Sequence, residues 1–319
     1  MQFPTLQEIE TAAQVVYGEF QATPQYRWAL LSERLGTDCW VKHENHNPVG
    51  AFKIRGGLTY FDALRRRSAL PEMVISATRG NHGQSIAWAA RSHGVACTVV
   101  VPRGNSVEKN AAMRALGARL IEHGEDFQES REHAIALAQT NGWHMVPSFD
   151  AALVHGVATY WWEFFKAVPT LAIAYVPIGL GSGICAAIAA KLALAHPVRI
   201  VGVVSAHATS YADSLAANKV VAAPVTTLLA DGMACRIAEA DALASMAPHI
   251  ERIVLVSDSE VGAAMRAIYQ DTHNVAEGAG AASFAAAMQE RSALRGQVVG
   301  TTLCGGNVDA DVFAQVLRG

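Results

Sequence analysis

The sequence is short of charge, short of basic surplus and short of paired cysteines, and each shortage removes a class of function. Charged residues make up 17% of the 319 positions against 51% hydrophobic ones, which excludes an extended disordered chain. The formal net charge of −3 advertises no basic face for nucleic acid or for an anionic membrane. No apolar run is long enough to span a bilayer, and residues 1–20 carry Glu8, Glu10 and Glu19 where a signal peptide would place Lys or Arg before an apolar block. The expectation is a cytoplasmic protein. Its five cysteines (Cys39, Cys97, Cys185, Cys235 and Cys304) are odd in number and form no CxxC, which argues against a disulfide framework and a zinc site. The histidines form no HExxH, so no metal is expected. Repeats, low-complexity tracts and Pro/Gly/Ser linkers are also missing, so composition marks no domain boundary.

What is present is alternation. Short β-branched runs at 73–76, 97–101, 119–122, 172–176, 199–204, 252–257 and 298–303 read as strands. Longer Ala-rich patterns lie between them, at 84–93, 107–116, 126–140, 153–166, 183–195, 258–270 and 278–291. The order predicts an α/β fold with parallel strands covered by helices on both faces.

Open parallel sheets bind ligands at the carboxyl ends of their strands, so the loops there carry the chemistry. The apolar run Cys39-Trp40-Val41 leads through a turn-prone Asn47-Pro48-Val49-Gly50 to helical spacing at Phe52, Leu58, Phe61 and Leu64. Lys53 therefore falls in a first helical turn. The helix dipole, the nearby Arg55 and burial against Phe52 would all lower its pKa, as a Schiff-base nucleophile requires. The alternative is a solvated lysine that merely begins a helix. The loop Ser76-Ala77-Thr78-Arg79-Gly80-Asn81-His82-Gly83-Gln84 offers free backbone N–H groups to a carboxylate or a ring oxygen, or is an ordinary capped turn. Pro177-Ile178-Gly179-Leu180-Gly181-Ser182-Gly183 opens a helix and suits phosphate. No lysine follows these glycines as in a P-loop. Ile184 stands where a dinucleotide fingerprint needs glycine, and Val204 where it needs an acid. A smaller phosphorylated ligand, or a tight turn without ligand, remains.

Six stretches in order, Gly50-Ala51-Phe52-Lys53-Ile54-Arg55-Gly56-Gly57, Arg79-Gly80-Asn81-His82-Gly83-Gln84, Gly179-Leu180-Gly181-Ser182-Gly183, Ala230-Asp231-Gly232, Glu277-Gly278-Ala279-Gly280-Ala281 and Cys304-Gly305-Gly306-Asn307-Val308-Asp309, resemble the motif series of the threonine dehydratase and serine racemase family. That family comprises pyridoxal-phosphate (PLP) enzymes of the tryptophan-synthase β-like fold, fold type II. The resemblance implies two open twisted, mostly parallel sheets, with PLP in the cleft between a large domain (1–68 and 151–319) and a small one (69–150). It also implies a homodimer, an amino-acid substrate, and neither nucleic acid nor membrane as partner. Lys53 would carry PLP, Phe52 would lie against its ring, and Asn81 would bond the ring oxygen. Gly179, Leu180, Gly181, Ser182 and Gly183 would hold the phosphate, Cys304 would face the pyridine nitrogen, and Glu277 would act near the cofactor. Thr78, Arg79, Gly80, Asn81, His82 and Gly232 would bind substrate. The implied reaction is β-elimination of water from threonine or serine to a 2-oxo acid and ammonia.

Several positions depart from the family pattern. Arg79 replaces the serine that serves racemases as a second base, and a guanidinium holds its proton, so racemisation is not expected. Val204 and Ser210 stand where some members ligate a divalent cation, so that metal site is expected to be missing. Leu180 interrupts the usual glycine run. Little chain follows Asn307, which leaves no place for a regulatory domain and no expectation of feedback by isoleucine. Arg79 could instead pair with a second carboxylate and select 3-hydroxyaspartate, or point away to a surface acid. His43, His46, His82 and His155 are read as hydrogen-bonded rather than catalytic, and Trp161 and Trp162 as packing.

Overall fold

The computed structural model describes residues 1–319. Its strands are β1 (Gln25–Arg27), β2 (Cys39–His43), β3 (Met73–Ala77), β4 (Ala96–Val101), β5 (Arg119–Glu122), β6 (His144–Met145), β7 (Ile173–Pro177), β8 (Arg199–Ser205), β9 (Arg252–Val256) and β10 (Val299–Leu303). They form a six-stranded sheet, ordered β1-β2-β10-β7-β8-β9, and a four-stranded sheet, ordered β5-β4-β3-β6. Every pairing is parallel except that of β1 with β2. The smaller sheet draws its strands from one stretch of chain, and the larger sheet from the residues on either side of it.

The central strands are buried along nearly their whole length because helices cover both faces. All five residues of β10 are buried, as are all but the first of the seven in β8. The expected α/β layout is thus the one found, and each expected strand lies within two residues of its place. The sequence reading missed the short edge strands β1 and β6 and the amino-terminal helix Leu6–Tyr17, which a Thr5–Glu8 capping box starts. Trp161 is buried among Tyr160, Phe164 and Phe165, as expected of packing.

Helix Lys53–Arg66 is held to strand β2 and to helix Ala151–Ala167 by charge. Arg55, two residues past Lys53, is fully buried, and its guanidinium donates to Glu44 at 2.7 and 3.0 Å and to Glu163 at 2.6 and 3.1 Å. Lys42, also fully buried, donates to Glu163 at 2.6 Å and to the Thr23 carbonyl at 2.6 Å. Burial would raise the Glu163 carboxyl, but Arg55 and Lys42 pull harder and hold it below its ordinary range. The cluster joins strand β2, helix Lys53–Arg66 and helix Ala151–Ala167. Gly156 lets the two helices meet, since a Cβ there would lie 2.1 Å from the Arg55 carbonyl oxygen.

Removing one partner of a buried pair strands the other in a medium that cannot solvate it. Arg55→Ala should therefore lower unfolding free energy by about 3–5 kcal/mol in urea titration. A loss below about 1 kcal/mol would show that the cluster does not anchor this helix.

Candidate active site

Four chain segments meet where strands end. After β2, residues 44–52 run beside the end of β10: the Glu44 N–H donates to the Leu303 carbonyl, and the Phe52 N–H to the Cys304 carbonyl at 3.0 Å. Asn47 shapes this turn, its side-chain amide donating to the carbonyls of Glu44 (2.7 Å) and Ala51 (3.0 Å). The chain then enters helix Lys53–Arg66 with Lys53 as its first residue. After β3 comes the 78–82 loop, and after β7 the 177–183 loop. All four segments line one cavity.

Every residue that the sequence assigned to the site borders this cavity: Phe52, Lys53, Thr78, Arg79, Gly80, Asn81, His82, Gly179, Leu180, Gly181, Ser182, Gly183, Gly232, Glu277 and Cys304. His43, His46 and His155 do not. The Trp28 indole donates to His43 at 2.9 Å, and His46 bonds Asn274 at 2.7 Å. Sequence reasoning missed Lys109, Phe127, Ser148, Asp231 and Cys235, which also line the cavity.

Lys53 is partly buried, and its amine donates to the Ser182 hydroxyl at 2.8 Å. The Ser85 hydroxyl donates to its carbonyl at 2.6 Å, tying it to helix Asn81–Ser92. Burial lowers the Lys53 pKa from 10.5 to about 8, with Cys235 and Cys304 opposing. Arg55 is not responsible, contrary to the sequence expectation. Its charge is spent on Glu44 and Glu163 beneath the helix.

Around the lysine the polar groups are interlocked. Asn81 donates to Glu277 Oε1 at 2.6 Å and accepts from Asn307 at 2.9 Å. Lys109 bridges Asp231 (2.7 Å) and Glu277 (3.0 Å). Burial would lower the Lys109 pKa, but the two carboxylates outweigh it and hold the amine charged. Burial pushes the Cys304 thiol well up, Glu277 adding to it, and the Cys235 thiol rises to about 12. Both thiols are therefore neutral. Burial and Lys53 depress His82 to about 3, so its imidazole is neutral as well. Ser210, at one of the positions compared with a cation site, donates to the Cys235 carbonyl at 2.8 Å.

These residues fit a phosphorylated aromatic aldehyde. Helix Ser182–Ala193 begins at Gly181 with φ +98° and no side-chain cap, so the backbone N–H groups of its first turn are free for an anion. Gly179 has no room for a side chain, as a Cβ would sit 2.5 Å from the Gly232 carbonyl oxygen. A low-pKa amine for a carbonyl, an anion cradle and an aromatic face at Phe52 together define a site for PLP, and the fold and site are those of a fold type II PLP enzyme. Comparison with known proteins agrees. The family model for pyridoxal-phosphate dependent enzymes matches residues 16–305, and the chain belongs to that family. It is 37% identical over 291 residues to the L-threonine ammonia-lyase of Geobacter sulfurreducens, covering 90% of this chain and 72% of that one. It is 30% identical over 298 residues to the L-threonine dehydratase biosynthetic IlvA of Pasteurella multocida, covering 92% of this chain and 58% of that one. The processed form of threonine deaminase isoform 2 from Solanum lycopersicum superposes with a TM-score of 0.87 at 26% identity, covering 99% of this chain and 94% of that one.

Attack on an aldehyde needs the neutral amine. The rate at which cofactor-free protein takes up PLP should therefore climb with pH through a midpoint near 8. A midpoint near the ordinary lysine value of 10.5 would contradict the assigned environment of Lys53.

Proposed function

We propose that this protein is a PLP-dependent ammonia-lyase that eliminates water from a small hydroxy amino acid, threonine or serine in the simplest case, and releases a 2-oxo acid and ammonia. The observation that carries the reading is Lys53 itself, an amine with a pKa of about 8, set 2.8 Å from the hydroxyl at the uncapped start of a helix. The reactions named for the Geobacter and Pasteurella relatives are of this kind.

Phe52 would face the cofactor ring, and the backbone from Gly179 to Gly183 would hold its phosphate. When bound, PLP supplies a sink for the electron pair left on Cα as its proton departs. Lys53 would take that proton with its amine free of the cofactor. Near neutral pH such an amine is basic enough to accept it and acidic enough to pass it on. The backbone N–H groups of Arg79, Asn81 and His82 orient the substrate carboxylate, those of Thr78 and Gly80 being taken by the Val100 carbonyl and the Thr78 hydroxyl. Asn81 would bond the ring oxygen, its amide fixed by Glu277 and Asn307. Cys304, whose thiol is neutral, would place no negative charge beside the ring nitrogen, which would favour prompt loss of the β-hydroxyl. The enamine that departs tautomerises and is hydrolysed in water.

A guanidinium at position 79 is no second base, which argues for elimination rather than racemisation. Within the dehydratase class, 3-hydroxyaspartate is the alternative substrate to threonine and serine. The resemblance further suggests a homodimer in the cytoplasm and a division into a large unit, 1–68 with 151–319, and a small unit, 69–150. Light scattering, cell fractionation and limited proteolysis test these in turn.

The reaction is tested by incubating holoenzyme with L-threonine and L-serine and measuring 2-oxo acid and ammonia in equal amounts. Lys53→Ala should lose cofactor absorbance and more than about a thousandfold in kcat together. A variant that keeps its turnover would refute the role of Lys53.

A further inference from the structure

We propose that Arg79 holds the side-chain carboxylate of the substrate, so that the preferred substrate is a dicarboxylic hydroxy amino acid of the 3-hydroxyaspartate type. The proposal rests on the dehydratase reading above and concerns which substrate that site selects.

The charges around the cavity leave one cation without an anion. Lys109 is matched by Asp231 and Glu277. Lys53 is the amine for the cofactor. Arg236, in a smaller cavity that adjoins the first, pairs with Asp126 at 3.0 Å. Arg79 borders both cavities and forms no ion pair, and its buried Nε has no hydrogen-bond partner. The carboxylate that shares the smaller cavity with Arg79, that of Asp126, is taken by Arg236. A guanidinium cannot shed its charge, so one placed partly out of water without an anion is costly unless a ligand supplies the partner. Its planar fork matches a carboxylate through two parallel N–H···O bonds.

Position decides which carboxylate. The 78–82 loop is where the α-carboxylate lies in the reading above, and the free backbone N–H groups there suffice for it. Arg79 lines the main cavity and also borders the smaller one with Phe127 and Leu180, so a side-chain carboxylate that reaches it meets an unpaired guanidinium. Threonine offers a methyl group there and serine a hydrogen. 3-Hydroxyaspartate offers an anion. The reaction balances without a redox partner: Cα loses a proton, Cβ loses hydroxide, the resulting enamine tautomerises to an imine, and water converts the imine to oxaloacetate and ammonia.

The test uses PLP-loaded wild type, Arg79→Gln and Arg79→Lys, each first checked for cofactor absorbance. kcat/KM is measured for L-threonine, L-serine and the 3-hydroxyaspartate diastereomers. Spectral titration gives Kd for L-aspartate and L-alanine, which lack a β-leaving group. Wild type should favour one 3-hydroxyaspartate diastereomer over threonine by at least about tenfold, and Arg79→Gln should cut that ratio about a hundredfold. The aspartate-to-alanine affinity ratio should fall in parallel, with Arg79→Lys between the two. Oxo acid from threonine and serine with neither ratio altered in Arg79→Gln overturns the proposal and leaves the dehydratase reading standing. If no hydroxy amino acid yields an oxo acid, the dehydratase reading falls and the proposal with it.

Discussion

Arg55, clasped between Glu44 and Glu163 and shielded from water, is the interaction on which the rest of the site depends. One guanidinium joins the end of β2, the first turn of the helix that begins at Lys53, and the helix that packs against it. Burying these charges costs solvation, which the bidentate geometry and the neighbouring Lys42–Glu163 pair offset. What the cost secures is position. Arg55 has one place in which all its donors are satisfied, and Lys53 stands two residues away on the same rigid turn.

The same cluster separates two electrostatic regions. Beneath the helix, every cation has its carboxylate. Above it, Lys53 faces neutral thiols and a neutral imidazole, and burial rather than repulsion lowers its pKa. The carboxylates that enter the cavity, those of Asp231 and Glu277, are both bound by Lys109, and Arg79 is the lining cation left without one. Because Lys109 comes from the helix after β4 of the smaller sheet and its partners from the segments flanking the larger one, this bridge also ties the two sheets across the cavity.

Much of this was legible in the sequence because the chemistry sits in short contiguous motifs at strand ends. Strands buried on both faces announce themselves as apolar runs, and glycine-rich turns before helices announce anion sites. Partners far apart in the chain leave no such mark. From the sequence Arg55 reads as a neighbour that depresses the Lys53 pKa, whereas its carboxylates lie 11 residues back and 108 residues on. Lys109 was missed although it precedes Met113 by four residues on the buried face of its helix, a spacing that flags a lysine with a buried partner. β1 and β6 are three and two residues long, too short for any periodicity.

The central claim is that Lys53, and no other lysine, carries the cofactor. Lys42 and Lys109 are also buried, but Lys42 is bound to Glu163 and Lys109 to Asp231 and Glu277. Reduction of the PLP-loaded protein with borohydride, followed by proteolysis and mass mapping, fixes the attachment point permanently. The pyridoxyl group should be found on the peptide containing Lys53 alone; its recovery on Lys42, on Lys109 or on a surface lysine would contradict the assignment.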